Sequence, residues 1–241
     1  MGLLGSDGLV TKGDIRYMGQ NILDIPEKEK RKVRGAKIGM IFQDAGASLC
    51  PIRTIGEQIY ESMHAHVKIT RSEAKDRAME LFEKLNFKDS QRVWDSYPFE
   101  LSGGMAQRVV IAIGICSNAK FVIADEPTNG LEDEHKFEFL ELIDSLFPNA
   151  AKLYITHDIS IAKKCKEVIV LCNGKTMEKG KAIDVLEAPK SSYTRALINS
   201  LVENGMVETP IIREQRGNCP FYCRCKDAND KCLNNGGCPN D

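Results

Sequence analysis

Residues 101–108 read Leu-Ser-Gly-Gly-Met-Ala-Gln-Arg and, after an apolar stretch, residues 121–132 read Phe-Val-Ile-Ala-Asp-Glu-Pro-Thr-Asn-Gly-Leu-Glu. The run 121–124 is short and apolar, and Asp125 and Glu126 follow it at once. This is the pattern of a buried strand that delivers two carboxylates to the carboxyl end of a parallel sheet. One acid placed there can hold Mg2+, commonly through water, while the second orients or deprotonates an attacking water in phosphoryl transfer. Asp125 takes the metal role and Glu126 the role of base. An Asp-Glu-Pro triplet taken alone is equally a plain strand end entering a loop.

Upstream, the glycines of Leu101-Ser102-Gly103-Gly104 let backbone N–H groups approach an anion with no side chain in the way. Gln107 and the residues after it have helix-forming composition, so the segment reads as a helix N-terminus that meets phosphate. Ser102 also suits an ordinary N-cap with Gln107 and Arg108 exposed. Together the two segments resemble the signature and Walker B elements of ATP-binding cassette (ABC) proteins. With that resemblance in place, Ile41-Phe42-Gln43-Asp44 is similar to the Q-loop and Tyr154-Ile155-Thr156-His157-Asp158 to the switch-histidine segment, all four in the family's order. The resemblance implies that Gln43 senses Mg2+ and water and couples to a membrane subunit, and that His157 contacts the terminal phosphate. It also implies that Ser102, Gly103, Gly104 and Gln107 meet nucleotide. A lone glutamine or histidine after a strand would be structural.

Wording around the motifs narrows the likeness. Phe42-Gln43-Asp44 with Ser48-Leu49-Cys50-Pro51, Thr54-Ile55-Gly56-Glu57-Gln58 and the later Ser192-Tyr193-Thr194-Arg195-Ala196-Leu197 resembles the ATP-binding subunits of bacterial dipeptide, oligopeptide and nickel importers. That family implies ATP and Mg2+, a second ABC ATPase subunit in a homo- or heterodimer, transmembrane permease subunits, and an extracytoplasmic solute-binding protein acting through them. It places the chain at the cytoplasmic face of the membrane. Departures from the pattern are Ala45 in place of the usual proline, Cys50 in place of asparagine, and Asn129-Gly130-Leu131-Glu132 in place of a D-loop ending in aspartate.

A P-loop requires Gly-x-x-x-x-Gly-Lys-Ser/Thr, because successive amides and the lysine cradle the β and γ phosphates. The sequence contains no such segment. Gly174-Lys175-Thr176 is a decoy: Ile169 stands where the first glycine belongs, and Asn173-Gly174 after the run 168–171 reads as a hairpin turn. The opening Met1-Gly2-Leu3-Leu4 resembles the end of the helix that follows the P-loop. The expectation is therefore a chain that begins downstream of its own nucleotide cradle.

The 241 residues allow one large domain or two small ones, and 42% hydrophobic content supports a sizeable core. No apolar run approaches the roughly 18 residues that cross a bilayer, and no charged leader precedes an apolar segment, which argues against secretion. A balance of 33 basic and 34 acidic residues leaves no electrostatic footprint for nucleic acid. The mixed run Glu27-Lys28-Glu29-Lys30-Arg31-Lys32 reads as a solvated helix face.

The expected fold class is α/β, an ABC-type nucleotide-binding domain with a P-loop NTPase-like sheet incomplete at its N-terminus, a helical subdomain and a Cys-rich tail. Its boundaries fall at 1–189 for the nucleotide-binding domain, with the helical subdomain at about 45–115, and 190–241 for the tail. Residues 13–43 read as strands around Gly19-Gln20-Asn21, a charged helix after Pro26, and a strand at 38–42. Trp94 and Tyr97 read as core.

The tail holds five of the nine cysteines, in the spacing Cys219-x5-Cys225-x6-Cys232-x5-Cys238 with Cys223 between the first two. In a reducing compartment a disulfide framework is unfavoured. The spacing suits a cluster or a cation, and Cys219-Pro-Phe-x-x-Arg-Cys225 with Cys232 resembles the cysteine-rich C-terminal motif of the peptide importers, some of which carry an iron–sulfur cluster. A [4Fe-4S] cluster on Cys219, Cys225, Cys232 and Cys238, a zinc ion, and a set of reduced thiols are the three readings. Cys50, Cys116, Cys165 and Cys172 are scattered and read as ordinary small residues. On function, an ATPase subunit of a peptide or nickel importer stands against a non-hydrolytic subunit that only completes a partner's ATP site, or a gene remnant. ABC proteins of DNA repair need a long coiled-coil insertion between Gln43 and Ser102, for which there is no room.

Overall fold

The computed structural model describes residues 10–115, 119–129, 131 and 133–234. It divides into two compact units, Met1–Ile155 and Thr156–Asp241.

The first unit opens with the two-residue strands β1 (Arg16–Tyr17) and β2 (Gln20–Asn21), paired antiparallel. Met18 and Gly19 between them both have positive φ, 49° and 84°, which is the geometry that matches a tight hairpin to strand twist. Helix α1 (Glu27–Val33) follows Pro26, with acids in its first turn, bases in its last and no buried residue. It is held by macrodipole and ion pairs and is the solvated face the charge run implies. Strand β3 (Ile38–Ile41) leads to α2 (Ala45–Ser48), whose first turn is capped by the Asp44 carboxylate accepting from Ala47 N at 2.9 Å.

Capping boxes then start two longer helices. Thr54 and Glu57 open α3 (Ile55–His64), and Thr70 and Glu73 open α4 (Arg71–Lys84). Asp89 caps α5 (Ser90–Asp95), and a 3-10 turn, Pro98–Glu100, leads into α6 (Gly103–Ile115). These helices share a core in which Ile55, Ile59, Phe82, Leu85 and Val109 are fully buried. Trp94 lies in it against the backbone of Gly56, where an added Cβ would stand 2.3 Å from the indole. Tyr97 does not join it: the residue is 39% exposed, because the 3-10 turn after Ser96 carries the chain outward.

Strand β4 (Phe121–Asp125), α7 (Asp133–Leu146) and β5 (Ala151–Ile155) complete a parallel sheet in the order β3-β4-β5. The register aligns Ile41 with Ala124, Ala124 with Tyr154, and Asp125 with Ile155. All three carboxyl ends therefore lie along one edge. The face carrying Ile41, Val122 and Ala124 is buried, whereas on the other face the outer strand leaves Leu153 and Ile155 about half exposed, at 45% and 46%.

In the second unit α8 (Ile159–Ala162) precedes an antiparallel hairpin of β6 (Glu167–Cys172) and β7 (Lys175–Lys181). Asn173 and Gly174 make its two-residue turn with φ of 46° and 74°, so the decoy glycine-lysine-threonine is a hairpin turn. Helices α9 (Ala182–Glu187) and α10 (Ser192–Asn199) follow, and the tail ends in α11 (Lys231–Asn234). Buried Glu178 accepts from the amides of Lys190 and Ser191 at 2.9 and 3.1 Å and fixes the link between α9 and α10. One small core joins Met177 of the hairpin to Cys219, Phe221, Cys225 and Cys232 of the tail. Tyr193 meets Phe221 edge-on at 5.2 Å, and Lys175 donates to the carbonyl of Asn218.

Candidate nucleotide site

The sheet order puts Gln43 and the two carboxylates on neighbouring strand ends. Gln43 stands two residues past β3 and is exposed; Asp125 closes β4 and, like Glu126, is half-buried. Parallel strands are bound to emerge on one edge, so Gln43 and Asp125, 82 positions apart, come to neighbouring strand ends without any local signal between them. Glu126 has φ of 44°, a left-handed conformation that costs a residue with a Cβ roughly 1–2 kcal/mol. Its amide donates to the Ile155 carbonyl at 2.8 Å, and Asn129 N donates back to the Glu126 carbonyl at 3.1 Å. The chain thus turns sharply as it leaves β4, and the strain is held by the neighbouring strand, as at many working sites. Pro127 and Thr128 behind it are buried.

Ser102 does cap α6: its Oγ accepts from Met105 N at 3.3 Å. Gln107 is not free on the surface but donates from Nε2 to the Pro127 carbonyl, tying the glycine-led helix to the turn that follows the carboxylates. Buried Val109, Ile111 and Ala112 carry that helix into the core. Ser102, Gly103 and Gly104 are exposed, and a Cβ built on either glycine would meet nothing within 4 Å. Neither glycine is among the positive-φ residues. Among the described residues nothing crowds either position, so the loop stands open.

His157 is exposed, two residues past β5, where the second unit begins. Asp158 beside it caps α8 by accepting from Ser160 N at 2.8 Å. Gly130, Glu132, Cys116 and Cys238 fall outside the described residues.

Cys219, Cys225 and Cys232 are buried in one core, but among the described residues no group of three or more His, Cys, Asp or Glu is placed to hold a metal ion. Burial pushes the Cys225 thiol above its ordinary value of 9.0, against hydrogen bonds from the Asp227 backbone and Ser192 that pull it down. Burial likewise raises Cys172, which shares a hydrogen bond with Tyr193. Cys172 therefore belongs to the tail's core, a neighbourhood its sequence position does not announce.

For oxygen-seeking Mg2+ the donor set is suitable: the Asp125 carboxylate and the Gln43 amide oxygen are the hard ligands such a cation takes. Strand-end carboxylates beside a glycine-led helix that is tethered to them define a nucleotide-hydrolysing cassette. The ABC transporter family model matches residues 3–129, and that of the oligopeptide/dipeptide transporter C-terminal region matches residues 177–232. A probable peptide ABC transporter ATP-binding protein of Sinorhizobium fredii is 36% identical over 91% of this chain and 70% of its own length. The dipeptide transport ATP-binding protein DppD of Escherichia coli is 36% identical over 96% of this chain and 75% of its own. Among solved structures, the dimeric ATP-binding cassette MJ0796 bound to ADP and Pi superposes with a TM-score of 0.64 at 27% identity, over 71% of this chain and 74% of that one. The chain belongs to the ABC transporter family, in the branch that carries the oligopeptide/dipeptide transporter C-terminal region.

Proposed function

We propose that this chain is the ATP-binding and ATP-hydrolysing subunit of a peptide importer, working at the cytoplasmic face of the membrane. It pairs with a second ABC subunit and drives permease subunits that receive solute from an extracytoplasmic binding protein. The observation that carries the reading is the pair of unconstrained, exposed glycines beside Ser102, an opening that suits a phosphate presented by another subunit. Asp125 and Gln43 supply oxygen ligands for Mg2+, which neutralises phosphate charge when bound. Glu126 takes the proton of the attacking water, and its strained, strand-held backbone fixes the direction of the carboxylate. His157 contacts the terminal phosphate. Beside Gln43, an apolar groove lined by Met40, Phe42, Ser48, Ser62 and Ile113 supports a membrane-subunit contact at the place where nucleotide is sensed. Among the described residues no helix is long and apolar enough to cross a membrane.

In a reconstituted transporter, Glu126→Gln should abolish ATP turnover and peptide uptake while ATP binding persists, and it should trap the closed dimer. Near-normal turnover would move the base to His157. A second reading, a non-hydrolytic subunit whose signature completes a partner's site, is favoured by one fact: the 241 residues carry a full Leu-Ser-Gly-Gly but no Gly-x-x-x-x-Gly-Lys-Ser/Thr. Under it, Ser102→Arg abolishes the partner's turnover, whereas Glu126→Gln leaves it intact.

The resemblance also suggests a [4Fe-4S] cluster, or zinc, on Cys219, Cys225, Cys232 and Cys238, and no step of the mechanism runs through it. Anaerobically purified protein with about four iron and four sulfide per chain would support the cluster. About one zinc would support a tetrahedral thiolate site, and metal-free protein would leave a core of reduced thiols.

A further inference from the structure

Five and three residues before the signature serine, Tyr97 and Phe99 form an aromatic pair that the core does not take up. The rings of Tyr97 and Phe99 are nearly parallel, 9° apart, with centroids 5.5 Å from each other. Phe99 is 75% exposed. Rings of this size normally repay burial, so two left in water beside a functional loop ask for an occupant from outside the chain. They are also held stiffly. Pro98 opens the 3-10 turn, the Glu100 carboxylate accepts from Tyr97 N at 2.7 Å, and Leu101 N donates to the Pro98 carbonyl at 3.2 Å. Just before the pair, the Ser96 carbonyl accepts from Ile55 N at 2.9 Å and anchors the turn to α3.

The chemistry of the occupant follows from the position. Ser102 and the two open glycines suit the phosphate end of a nucleotide, and three residues of chain span up to about 10 Å, the length by which a nucleoside triphosphate carries its base away from the last phosphate. A neutral ring has no hydrogen-bond donor for phosphate. What it offers is a flat face of the kind on which a base stacks, whatever its edge pattern. We infer that Phe99, backed by Tyr97, is a nucleotide-contact residue whose outer face stacks on the base of the ATP held by the second ABC subunit. The inference rests on the proposed function and extends it from the phosphate to the base. It also explains why the turn is rigid: a preorganised face loses little entropy on binding.

The test uses the complex of this chain with its partner ATP-binding subunit. Trp94 is the sole native tryptophan and is buried, so a Phe99→Trp variant places one exposed reporter at the site. MgATP should quench its emission, and inorganic tripolyphosphate with Mg2+ should not. Phe99→Ala should raise the ATP concentration for half-maximal turnover about tenfold with kcat little changed, and Phe99→Tyr should restore it. Emission insensitive to MgATP in a complex that hydrolyses ATP would overturn the inference. So would an unchanged ATP requirement in Phe99→Ala with peptide uptake uncoupled from hydrolysis, which would set the ring against the membrane subunit instead. A wild-type complex without turnover would remove the reading of function, and this inference with it.

Discussion

Glycine at 56 and glycine at 103 answer different demands, and substitution separates them. At Gly56 the constraint is internal, because a methyl group would enter the Trp94 ring at 2.3 Å with both backbones fixed by α3 and α5. Gly56→Ala should therefore destabilise the first unit by about 2 kcal/mol, read as a lower urea midpoint at unchanged slope. At Gly103 the space is open and φ is not positive, so alanine improves helix propensity. Gly103→Ala should stabilise the chain by about 0.5 kcal/mol and still lower turnover of the assembled complex. Equal loss of stability and turnover would show that the loop's glycine serves the fold and not an approaching phosphate. The same logic bears on Glu126, whose backbone strain is tolerated because the Ile155 carbonyl holds its amide.

The hairpin of β6 and β7 is completed by residues far along the chain. Met177 on β7 is 1% exposed in a core it shares with Cys219, Phe221, Cys225 and Cys232, so Phe221→Ala should cost about 3 kcal/mol. The sequence made the hairpin legible, since Asn173-Gly174 between apolar runs carries its turn geometry locally. Two strands of the parallel sheet, at 38–41 and 121–125, were legible as well, from apolar runs that end in polar residues. What could not be read was the partner of each face. Met177 and Phe221 share no local pattern, nor do Gln107 and Pro127, and Tyr97 reads as core by its size alone, which says nothing about which way a turn carries the ring. The thiol core also sets a pH response. Burial raises Cys172 and Cys225 above their ordinary 9.0, and Tyr193 above its ordinary 10.0. For each group the folded state holds its proton more tightly than the unfolded chain does. The stability this contributes is thus present below pH 9 and is lost as pH rises past it. Thermal midpoints between pH 7.5 and about 10.5 should fall beyond 9, and the fall should be shallower in Cys172→Ala. A pH-independent midpoint over that range would refute the assignment.

Charge decides what the polypeptide of these 241 residues can do by itself. A nucleoside triphosphate is strongly anionic, and Asp125 and Glu126 present it with two carboxylates on one strand end. Mg2+ offsets part of that repulsion, but the amides and lysine of a P-loop, which elsewhere supply the attraction, are not encoded in these residues. The β5 face points the same way, because Leu153 and Ile155 stand half exposed beside a backbone edge that pairs, among the described residues, with β4 alone. The polypeptide of residues 1–241 should accordingly bind MgATP weakly, show no stoichiometric turnover, and tend to self-associate through that edge. Mixed with an ABC subunit that has an intact P-loop, it should contribute Ser102, Gly103 and Gly104 to one composite site, with turnover that appears only in the mixture and disappears with Ser102→Arg. Equilibrium dialysis with labelled ATP, phosphate release and sedimentation measure the three parts separately. Robust turnover by the purified polypeptide alone would sink the argument, because it would mean that the phosphates are cradled by groups other than the P-loop amides and lysine that the charge balance demands.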